Sequence, residues 1–273
     1  MSEISKAINC FTRKWSVLFP SVYILCGISV SDRPDEMVKF LEDFKVCTQE
    51  VTELRFLLHG PVGAGKSSTF NIIKNVFEGR QFVKCLASSE NSSGTSPSLH
   101  VKDLLPLAFN DTVGVEKEQG VHTDDIISAL RGHIKEGYVF NPKSQISEEN
   151  PHYLKNPSLS DRIHCLVSVV AVEECHSKCF ICMYVCSTGI PQVVFMTRVD
   201  LACPLTKENL RYIYKSKKVR DNMQKCSSLL GIPVNCIFPV KNYHMETHVS
   251  GDINFQYTNE PEYCCNTGIN ADA

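Results

Sequence analysis

The sequence predicts an α/β fold with a mostly parallel sheet and helices on both faces. Short apolar runs rich in β-branched residues recur along the chain, which is typical of strands buried on both faces. Segments with helical periodicity lie between several of these runs. The first run leads into a glycine-rich loop and then a helical pattern, and phosphate-binding loops have this order of elements.

The chain has 273 residues, with 28 Lys and Arg against 30 Asp and Glu and a net charge of −2. This length suits one α/β domain with extensions. Because basic residues are not in excess, we expect neither nucleic acid nor an anionic membrane as a partner. The 14 cysteines are expected to be free cytosolic thiols, since a chain of this length can bury a core without disulfides.

Residues 1–30 are predicted to be an atypical N-terminal extension of a nucleotide-binding domain that spans 31–243. Three basic residues precede an apolar run in this extension, as they do in a targeting signal. The run is shorter than the ~20 residues of a spanning helix, and Pro20 interrupts it. Packing on the domain is therefore the favoured interpretation. Residues 31–51 are predicted to form an amphipathic helix.

The phosphate-binding pattern Gly60-x-x-x-x-Gly65-Lys66-Ser67 follows an apolar run that predicts a buried strand. Its glycines let the backbone turn so that N–H groups face an anion. A helix from Lys66 directs the positive end of its dipole at the phosphates, which the ammonium also reaches, and the Ser67 hydroxyl is a Mg²⁺ ligand. The predicted phosphate-binding residues of this loop are Gly60, Val62, Gly63, Ala64, Gly65, Lys66, Ser67 and Ser68.

A polar loop and the sequence Asp111-Thr-Val-Gly114 supply the other predicted metal and γ-phosphate contacts. In nucleotide switches a loop threonine helps to bind Mg²⁺. Thr95 is the candidate here, with Ser93 as an alternative and an ordinary polar loop as the plain interpretation. Asp111 ends an apolar run, so its carboxylate is expected near the metal at the carboxyl edge of the sheet, with the Gly114 N–H at the γ-phosphate.

The residue after Gly114 is Val115, at a position where many small GTPases carry a water-orienting glutamine. Valine cannot orient water, and Gln119 is out of register. Hydrolysis is therefore expected to be slow or absent, with Lys66 and Asp111 as the catalytic groups if it occurs.

Residues 116–161 are predicted to be an insertion or an elaborated switch region, because they lengthen the interval before the next motif. A helix is expected over 121–138, and a polar loop that contains three prolines is expected over 141–161. Nucleotide binding is expected to order the segments 88–98 and 115–161.

Apolar runs at 163–172 and 191–197 predict two more buried parallel strands. The second ends in Thr197-Arg-Val-Asp200, which is similar to the (Asn/Thr)-Lys-x-Asp sequence that reads guanine. The Asp200 carboxylate can accept hydrogen bonds from the N1–H and the 2-amino group of guanine, a donor pair that adenine lacks, and Arg198 can stack where lysine is usual. The predicted guanine-binding residues are Thr197, Arg198, Asp200 and Lys241.

Four cysteines lie between these two strands, and their spacing fits one face of a helix. They are Cys175, Cys179, Cys182 and Cys186. The spacing is open to two interpretations, a metal or iron–sulfur site and a buried thiol stripe on a crossover helix. The stripe is favoured, because two parallel strands need a crossover between them.

A long helical stretch is predicted over 206–230, broken near 215–218, with Thr206 as its cap and Gly231 at its end. A last strand is expected at 232–239.

Backbone N–H groups of 240–242 are then expected to face the guanine O6. Residues 244–273 have no convincing periodicity and are expected to form a divergent, poorly ordered tail.

Several runs resemble the interferon-induced protein 44 family, and in particular its 44-like group. The resemblance covers roughly 31–245 and rests on His59-Gly-Pro-Val-Gly-Ala-Gly-Lys-Ser-Ser68, Asp111-Thr-Val-Gly114, Asn156-Pro-Ser-Leu-Ser-Asp-Arg-Ile-His-Cys165, Gly189-Ile-Pro-Gln-Val-Val-Phe-Met-Thr-Arg-Val-Asp200 and Phe238-Pro-Val-Lys-Asn-Tyr243. It implies a cytoplasmic, interferon-inducible protein with a GTP-binding domain and a role in antiviral innate immunity. Three regions depart from the family pattern: 1–30, where no TLDc-type domain is found, the cysteine-rich crossover at 173–188, and the tail.

The leading hypothesis is a protein that binds GTP or GDP with Mg²⁺, held by the phosphate loop, by Asp111 and, if the loop threonine is used, by Thr95. One alternative is a non-hydrolysing interaction module on the same fold. Another is an ATPase, in which the match at Thr197-Arg-Val-Asp200 would be coincidental. Unidentified protein partners and a nucleotide-dependent homodimer are further expectations.

Overall fold

The computed structural model describes residues 51, 53–70, 98–100, 107–111, 121–141, 143–174, 179–208 and 210–241. Six strands form a single sheet in this part of the chain. They are β1 (Leu54–His59), β2 (Ser98–His100), β3 (Leu107–Asp111), β4 (Cys165–Ala171), β5 (Gln192–Thr197) and β6 (Ile237–Pro239). The described α-helices are α1 (Thr123–Leu130), α2 (Phe180–Thr188), α3 (Val199–Ala202), α4 (Pro204–Glu208) and α5 (Lys217–Leu230).

The strand order is β2-β3-β1-β4-β5-β6, and β2 runs antiparallel at one edge. Every other neighbouring pair is parallel, which confirms the predicted α/β class. Leu58 of β1 lies beside Asp111 of β3 and Val167 of β4. The phosphate loop that follows β1 therefore leaves the sheet at its carboxyl edge, where ligands of open parallel sheets bind.

The core lies on the sheet, and β1 contributes to both faces. Leu57 belongs to the apolar cluster that also contains Leu166, Val194 and the helical residues Ile126, Val185 and Met223. Phe56, the next residue along β1, points to the other face because side chains alternate along a strand. Its ring stacks on Phe109 of β3, with 4.8 Å between ring centroids. Burial on both faces explains why β1 and β4 read as continuous apolar runs.

The helix predicted over 121–138 is shorter in the structure and ends at Leu130. Gly132 has φ +86, and a Cβ on it would lie 2.8 Å from the backbone of Asp161. The chain must therefore turn at this point rather than continue as a helix. Ile134, which lies within the predicted helix, instead forms an isolated antiparallel bridge with Tyr153.

The described residues of 131–163, called here the elaborated segment, form a 3₁₀ turn at Leu159–Asp161 and the isolated bridge, and are otherwise without α-helix or strand. The predicted loop over 141–161 is confirmed. Backbone hydrogen bonds cross the segment, from Lys135 N to His152 O at 3.0 Å and from Leu154 N to His133 O at 2.8 Å. The buried Asp125 of α1 accepts the Ile146 N–H at 2.9 Å and fixes the segment to the core.

The helical stretch predicted over 206–230 is divided into α4, a 3₁₀ turn at Leu210–Lys215 and α5. The predicted cap was wrong: Thr206 lies inside α4, and its hydroxyl donates to Val199 O and Cys203 O, both at 2.7 Å. Ser216 caps α5 by accepting the Val219 N–H. The prediction that Gly231 ends the helix was correct, since it has φ +72 at the C-cap.

The last strand is also shorter than predicted. A 3₁₀ turn occupies Val234–Cys236 and leaves only Ile237–Pro239 for β6. The crossover helix α2 begins at Phe180, so Cys179 caps it rather than lying on its face. Cys182 is buried as the stripe interpretation expects, but Cys186 is exposed.

Several predictions concern residues outside the described part of the chain. These are the extension 1–30, the lead-in helix over 31–51 except its last residue, the residues Ser93, Thr95, Gly114, Val115 and Asn242, and the tail 244–273. The proposed domain bounds remain predictions. No helix in the described ranges combines the length and apolarity needed to cross a bilayer.

Candidate nucleotide site

The phosphate loop packs tightly against the neighbouring strand from its first residue. A Cβ built on Gly60 would lie 2.0 Å from the carbonyl oxygen of Val169 in β4, so a side chain cannot be accommodated. Gly63 and Gly65 have φ +80 and +95, a conformation that favours glycine. Helical geometry follows at 66–70, as the motif predicts.

Lys66 lies inside the loop and is only 7% exposed. Its Nζ donates to Gly60 O and to Pro61 O, each at 2.8 Å. The ammonium is therefore held by carbonyl oxygens that a phosphate oxygen can replace as acceptors. A cation so placed, at a helix N-terminus and within a turn rich in glycine, fits a phosphate chain.

The other predicted loop residues differ in exposure. Ala64 is fully buried, whereas Val62 is 51% exposed and points away from the core. Ser67 and Ser68 are half-buried. The Ser67 side chain follows the lysine directly, which is the position of the metal-binding hydroxyl in the motif.

The end of β5 contacts the phosphate loop directly. The buried Thr197 hydroxyl donates to Ala64 O at 2.7 Å. Arg198 has φ +60, and its Nη2 donates to Gly63 O at 2.6 Å. These two predicted guanine-binding residues therefore hold the loop in place through its carbonyl groups. The structure thus joins the glycine-rich loop and the predicted base-reading motif through direct hydrogen bonds.

Asp200 is half-buried in the first turn of α3, immediately after this contact. Lys241 is half-buried and follows Val240 beyond the end of β6. The Val240 N–H donates to Met196 O at 2.7 Å, so this N–H was wrongly expected to face guanine. The assignment of the Lys241 N–H to the guanine stays a prediction, and Asn242 lies outside the described residues.

The predicted Mg²⁺ ligands are described only in part. Asp111 is the last residue of β3 and pairs in register with Leu58, two residues before Gly60. Its backbone therefore lies at the same sheet edge as the phosphate loop. No group of three or more His, Cys, Asp or Glu side chains within the described residues has the arrangement of a metal site.

Sequence reasoning missed His59, the buried residue that precedes Gly60. Its Nε2 lies 3.8 Å from the Cys179 sulfur at the start of α2. A cavity of about 80 Å³ adjoins both residues and the first part of the phosphate loop. The Cys179-x-x-Cys182 spacing was visible in the sequence, but a histidine 120 positions earlier carries no local signal that would pair it with this cysteine.

Comparison with known proteins identifies relatives of the chain, although no family model matches it. The mouse protein "Interferon-induced protein 44" is 32% identical over 225 residues, which are 77% of this chain and 53% of the mouse protein. The human "Interferon-induced protein 44-like" is 30% identical over 233 residues, 79% of this chain and 52% of that protein. The chain thus spans about half the length of these relatives. The two identities do not separate the 44 and 44-like groups.

Solved structures with a similar arrangement include Toc33 from Arabidopsis thaliana in complex with GDP and Mg²⁺. It is 12% identical, with a TM-score of 0.42, and the match covers 90% of this chain and 96% of Toc33. A probable GTP-binding protein, engB, is 12% identical with a TM-score of 0.40, over 68% of this chain and 88% of engB. Because these scores are low, the fold assignment rests on the strand order, the strand directions and the loop described above. By sequence, the chain is a homologue of the interferon-induced protein 44 family across about three quarters of its own length.

Proposed function

We propose that the chain binds a guanine nucleotide, GTP or GDP, together with Mg²⁺. The observation that carries this proposal is the contact between the two motifs, in which Thr197 and Arg198 donate to carbonyls of the phosphate loop. A nucleotide has its base and phosphates at a fixed separation, so the two recognition elements need a fixed relative position. The hydrogen bonds from Thr197 and Arg198 to the loop supply it.

Lys66 is the group expected to change partners on binding. In the structure its ammonium donates to Gly60 O and Pro61 O. Phosphate oxygens are stronger acceptors, since both partners are then charged. Backbone N–H groups of 62–68 would complete the phosphate cradle, together with the Gly114 N–H.

Mg²⁺ would be held by the Ser67 hydroxyl and, directly or through water, by the Asp111 carboxylate, with Thr95 as the switch ligand. When bound, the ion would neutralise charge on the β- and γ-phosphates. Asp200 would read guanine through its carboxylate, and the Lys241 N–H would face the base.

Hydrolysis is proposed to be slow or absent, because Val115 stands where a water-orienting side chain is needed. If turnover occurs, Lys66 and Asp111 are its proposed catalytic groups. An antiviral role is a further proposal that follows the interferon-induced names of the relatives, and a cytoplasmic location and a nucleotide-dependent homodimer are proposed with it. A non-hydrolysing interaction module is the second candidate, and a phosphate-release assay with Asp111→Ala separates it from a slow GTPase.

A competition experiment tests the nucleotide directly. The full chain is titrated with a fluorescent GTP analogue, and unlabelled GTP, GDP and ATP are compared as competitors. GTP and GDP should compete at least ~100-fold better than ATP, since adenine lacks the donor pair and would leave the half-buried Asp200 carboxylate without its hydrogen bonds. Lys66→Ala should weaken binding by at least ~100-fold, because the lost ammonium makes charge-assisted bonds.

The matched control is Lys207→Ala, which removes an exposed lysine of α4 and should leave binding unchanged. Equal competition by ATP would contradict the guanine assignment. Unchanged binding in Lys66→Ala would contradict the phosphate site itself.

A further inference from the structure

The start of α2 brings two cysteines together next to the phosphate loop. Cys179 is the N-cap residue, and its sulfur accepts the Cys182 N–H at 3.4 Å. Cys182 is 1% exposed, and its sulfur lies 3.2 Å from the Ser168 Oγ of β4. Within one helical turn, one sulfur is thus half-buried and the other fully buried.

A buried histidine is the third member of this cluster. His59 is 5% exposed, and its Nε2 lies 3.8 Å from the Cys179 sulfur. Its Nδ1 is buried and has no hydrogen-bond partner among the described residues. An imidazole beside a thiol at the start of a helix is an arrangement that favours the thiolate.

A cavity gives small molecules a route to the cluster. It has a volume of about 80 Å³ and adjoins His59, Cys179, Cys182 and the first residues of the phosphate loop. Glu174 and the α5 residues Leu229 and Leu230 also line it. This space is large enough for a molecule the size of a peroxide.

We propose that Cys179 and Cys182 form a redox-active dithiol, in which Cys179 attacks a hydroperoxide and Cys182 resolves the product. The Cys179 thiolate attacks the distal oxygen of the peroxide, an S–O bond forms and the O–O bond breaks, and the leaving hydroxide or alkoxide takes a proton from solvent and departs as water or an alcohol. This step oxidises the sulfur to a sulfenic acid. The Cys182 sulfur then attacks the Cys179 sulfur, the S–OH bond breaks, water leaves, and a disulfide forms.

The pKa shifts of Cys179 and Cys182 agree with these roles. The hydrogen bond from the Cys182 thiol, followed by the contact with His59, lowers the pKa of Cys179 well below its usual range. The same hydrogen bond and burial raise the pKa of Cys182. The accessible sulfur is thus the nucleophile, and the enclosed sulfur stays protonated until it is needed.

Oxidation of the full-length, fully reduced chain with one equivalent of hydrogen peroxide tests the proposal. Peptide mapping by mass spectrometry should find a disulfide that joins Cys179 to Cys182. In Cys182→Ser the sulfenic acid should persist at Cys179 and be trapped by dimedone. In Cys179→Ser neither the disulfide nor a trapped Cys182 should appear.

Cys186→Ser is the matched control, because Cys186 lies one turn further along α2, is exposed, and has no contact with His59 among those described. It should form the same disulfide as the wild type. Iodoacetamide labelling of the unaltered chain at pH 7 needs no variant, and Cys179 should react at least ~10-fold faster than Cys186.

Three results would overturn the proposal. They are equal labelling of Cys179 and Cys186, oxidation spread over the exposed cysteines, and a disulfide from Cys179 to Cys175 in place of Cys182. None of these readouts depends on nucleotide binding, so they remain informative if the proposed function fails.

Discussion

The phosphate loop and the elaborated segment are both irregular, but they are stabilised in different ways. The loop at 60–65 is short, and its conformation is set by glycines, by the enclosed Lys66 and by two donors at the end of β5. The elaborated segment at 131–163 is much longer, and its described contacts include hydrogen bonds within itself and to α1, while His164 directly after it bonds to β1.

Contacts that close the elaborated segment join residues far apart in the sequence. The His133 and Tyr153 rings stack with 5.2 Å between centroids. The Arg131 Nε donates to the Tyr184 hydroxyl of α2 at 2.9 Å and thereby connects the segment to the crossover helix. A motif therefore determines the first region, whereas tertiary contacts determine the second.

Gly60→Ala should lower stability more than any other substitution in the two regions. The new Cβ would lie 2.0 Å from Val169 O, and neither backbone can move without disturbing the sheet. We expect a loss of about 4 kcal/mol or more in the free energy of unfolding, and no nucleotide binding. Urea denaturation and the fluorescent GTP analogue measure the two effects.

Gly137→Ala in the elaborated segment is the control for Gly60→Ala. Gly137 also has a positive φ, of +82, but a Cβ there would meet no atom within 4 Å. Gly137→Ala should lower the free energy of unfolding by only about 1 kcal/mol, from backbone strain alone. Equal losses in the two variants would show that the close approach to β4 is unimportant.

The sequence was most informative where a motif has a fixed local geometry. The order β1, glycine-rich loop, helical turn was predicted correctly, and so were the apolar strands β4 and β5. Helix ends were predicted less well. Apolar periodicity continues past Leu130, but the close approach of the Asp161 backbone to Gly132 ends the helix. An interaction between residues 29 positions apart leaves no pattern in a local window.

In the candidate site, too, contacts between residues far apart in the sequence were not predicted. Thr197 and Arg198 were identified from their motif, but their contacts with loop carbonyls were not predicted. Val240 was assigned to the base, although its N–H completes the pairing beyond β6. The cap of α5 was misplaced because Thr206 and Ser216 are equally good capping residues in sequence, and only the break at the 3₁₀ turn selects Ser216.

Lowering the pH should destabilise the fold where the elaborated segment meets β4, because His164 at that point becomes protonated. Its Nδ1 accepts the Arg55 N–H at 2.9 Å. Burial, with the Arg55 charge, lowers the pKa of His164 to about 4 from 6.5. The unfolded chain therefore binds this proton first as the pH falls. Folding stability due to His164 is complete above about pH 6.5 and is lost progressively towards pH 4, by about 3 kcal/mol at most.

Urea denaturation at pH 7, 6, 5 and 4 measures this dependence. In His164→Asn, whose side-chain oxygen can still accept the Arg55 N–H, the difference between wild type and variant should shrink as the pH falls. His152→Asn, at an exposed position of the same segment, is the control and should retain the wild-type slope. An unchanged slope in His164→Asn would assign the pH dependence to other groups.

Thr197→Val tests the smallest expected effect and the contact that joins the two nucleotide motifs. Valine keeps the volume but leaves Ala64 O without the hydroxyl donor at 2.7 Å, in a fully buried position. An unsatisfied buried carbonyl costs about 1–2 kcal/mol. We expect that loss in stability and a weaker affinity for GTP, since the phosphate loop would no longer be fixed relative to Asp200.

Thr188→Val, which removes an exposed hydroxyl bonded within α2, should change neither quantity. If Thr197→Val loses stability but keeps full GTP affinity, the contact supports the fold without positioning the loop. The conformation of the phosphate loop would then depend on its own glycines and on Lys66. Contacts with β5 would contribute less to it than the comparison with the elaborated segment implies.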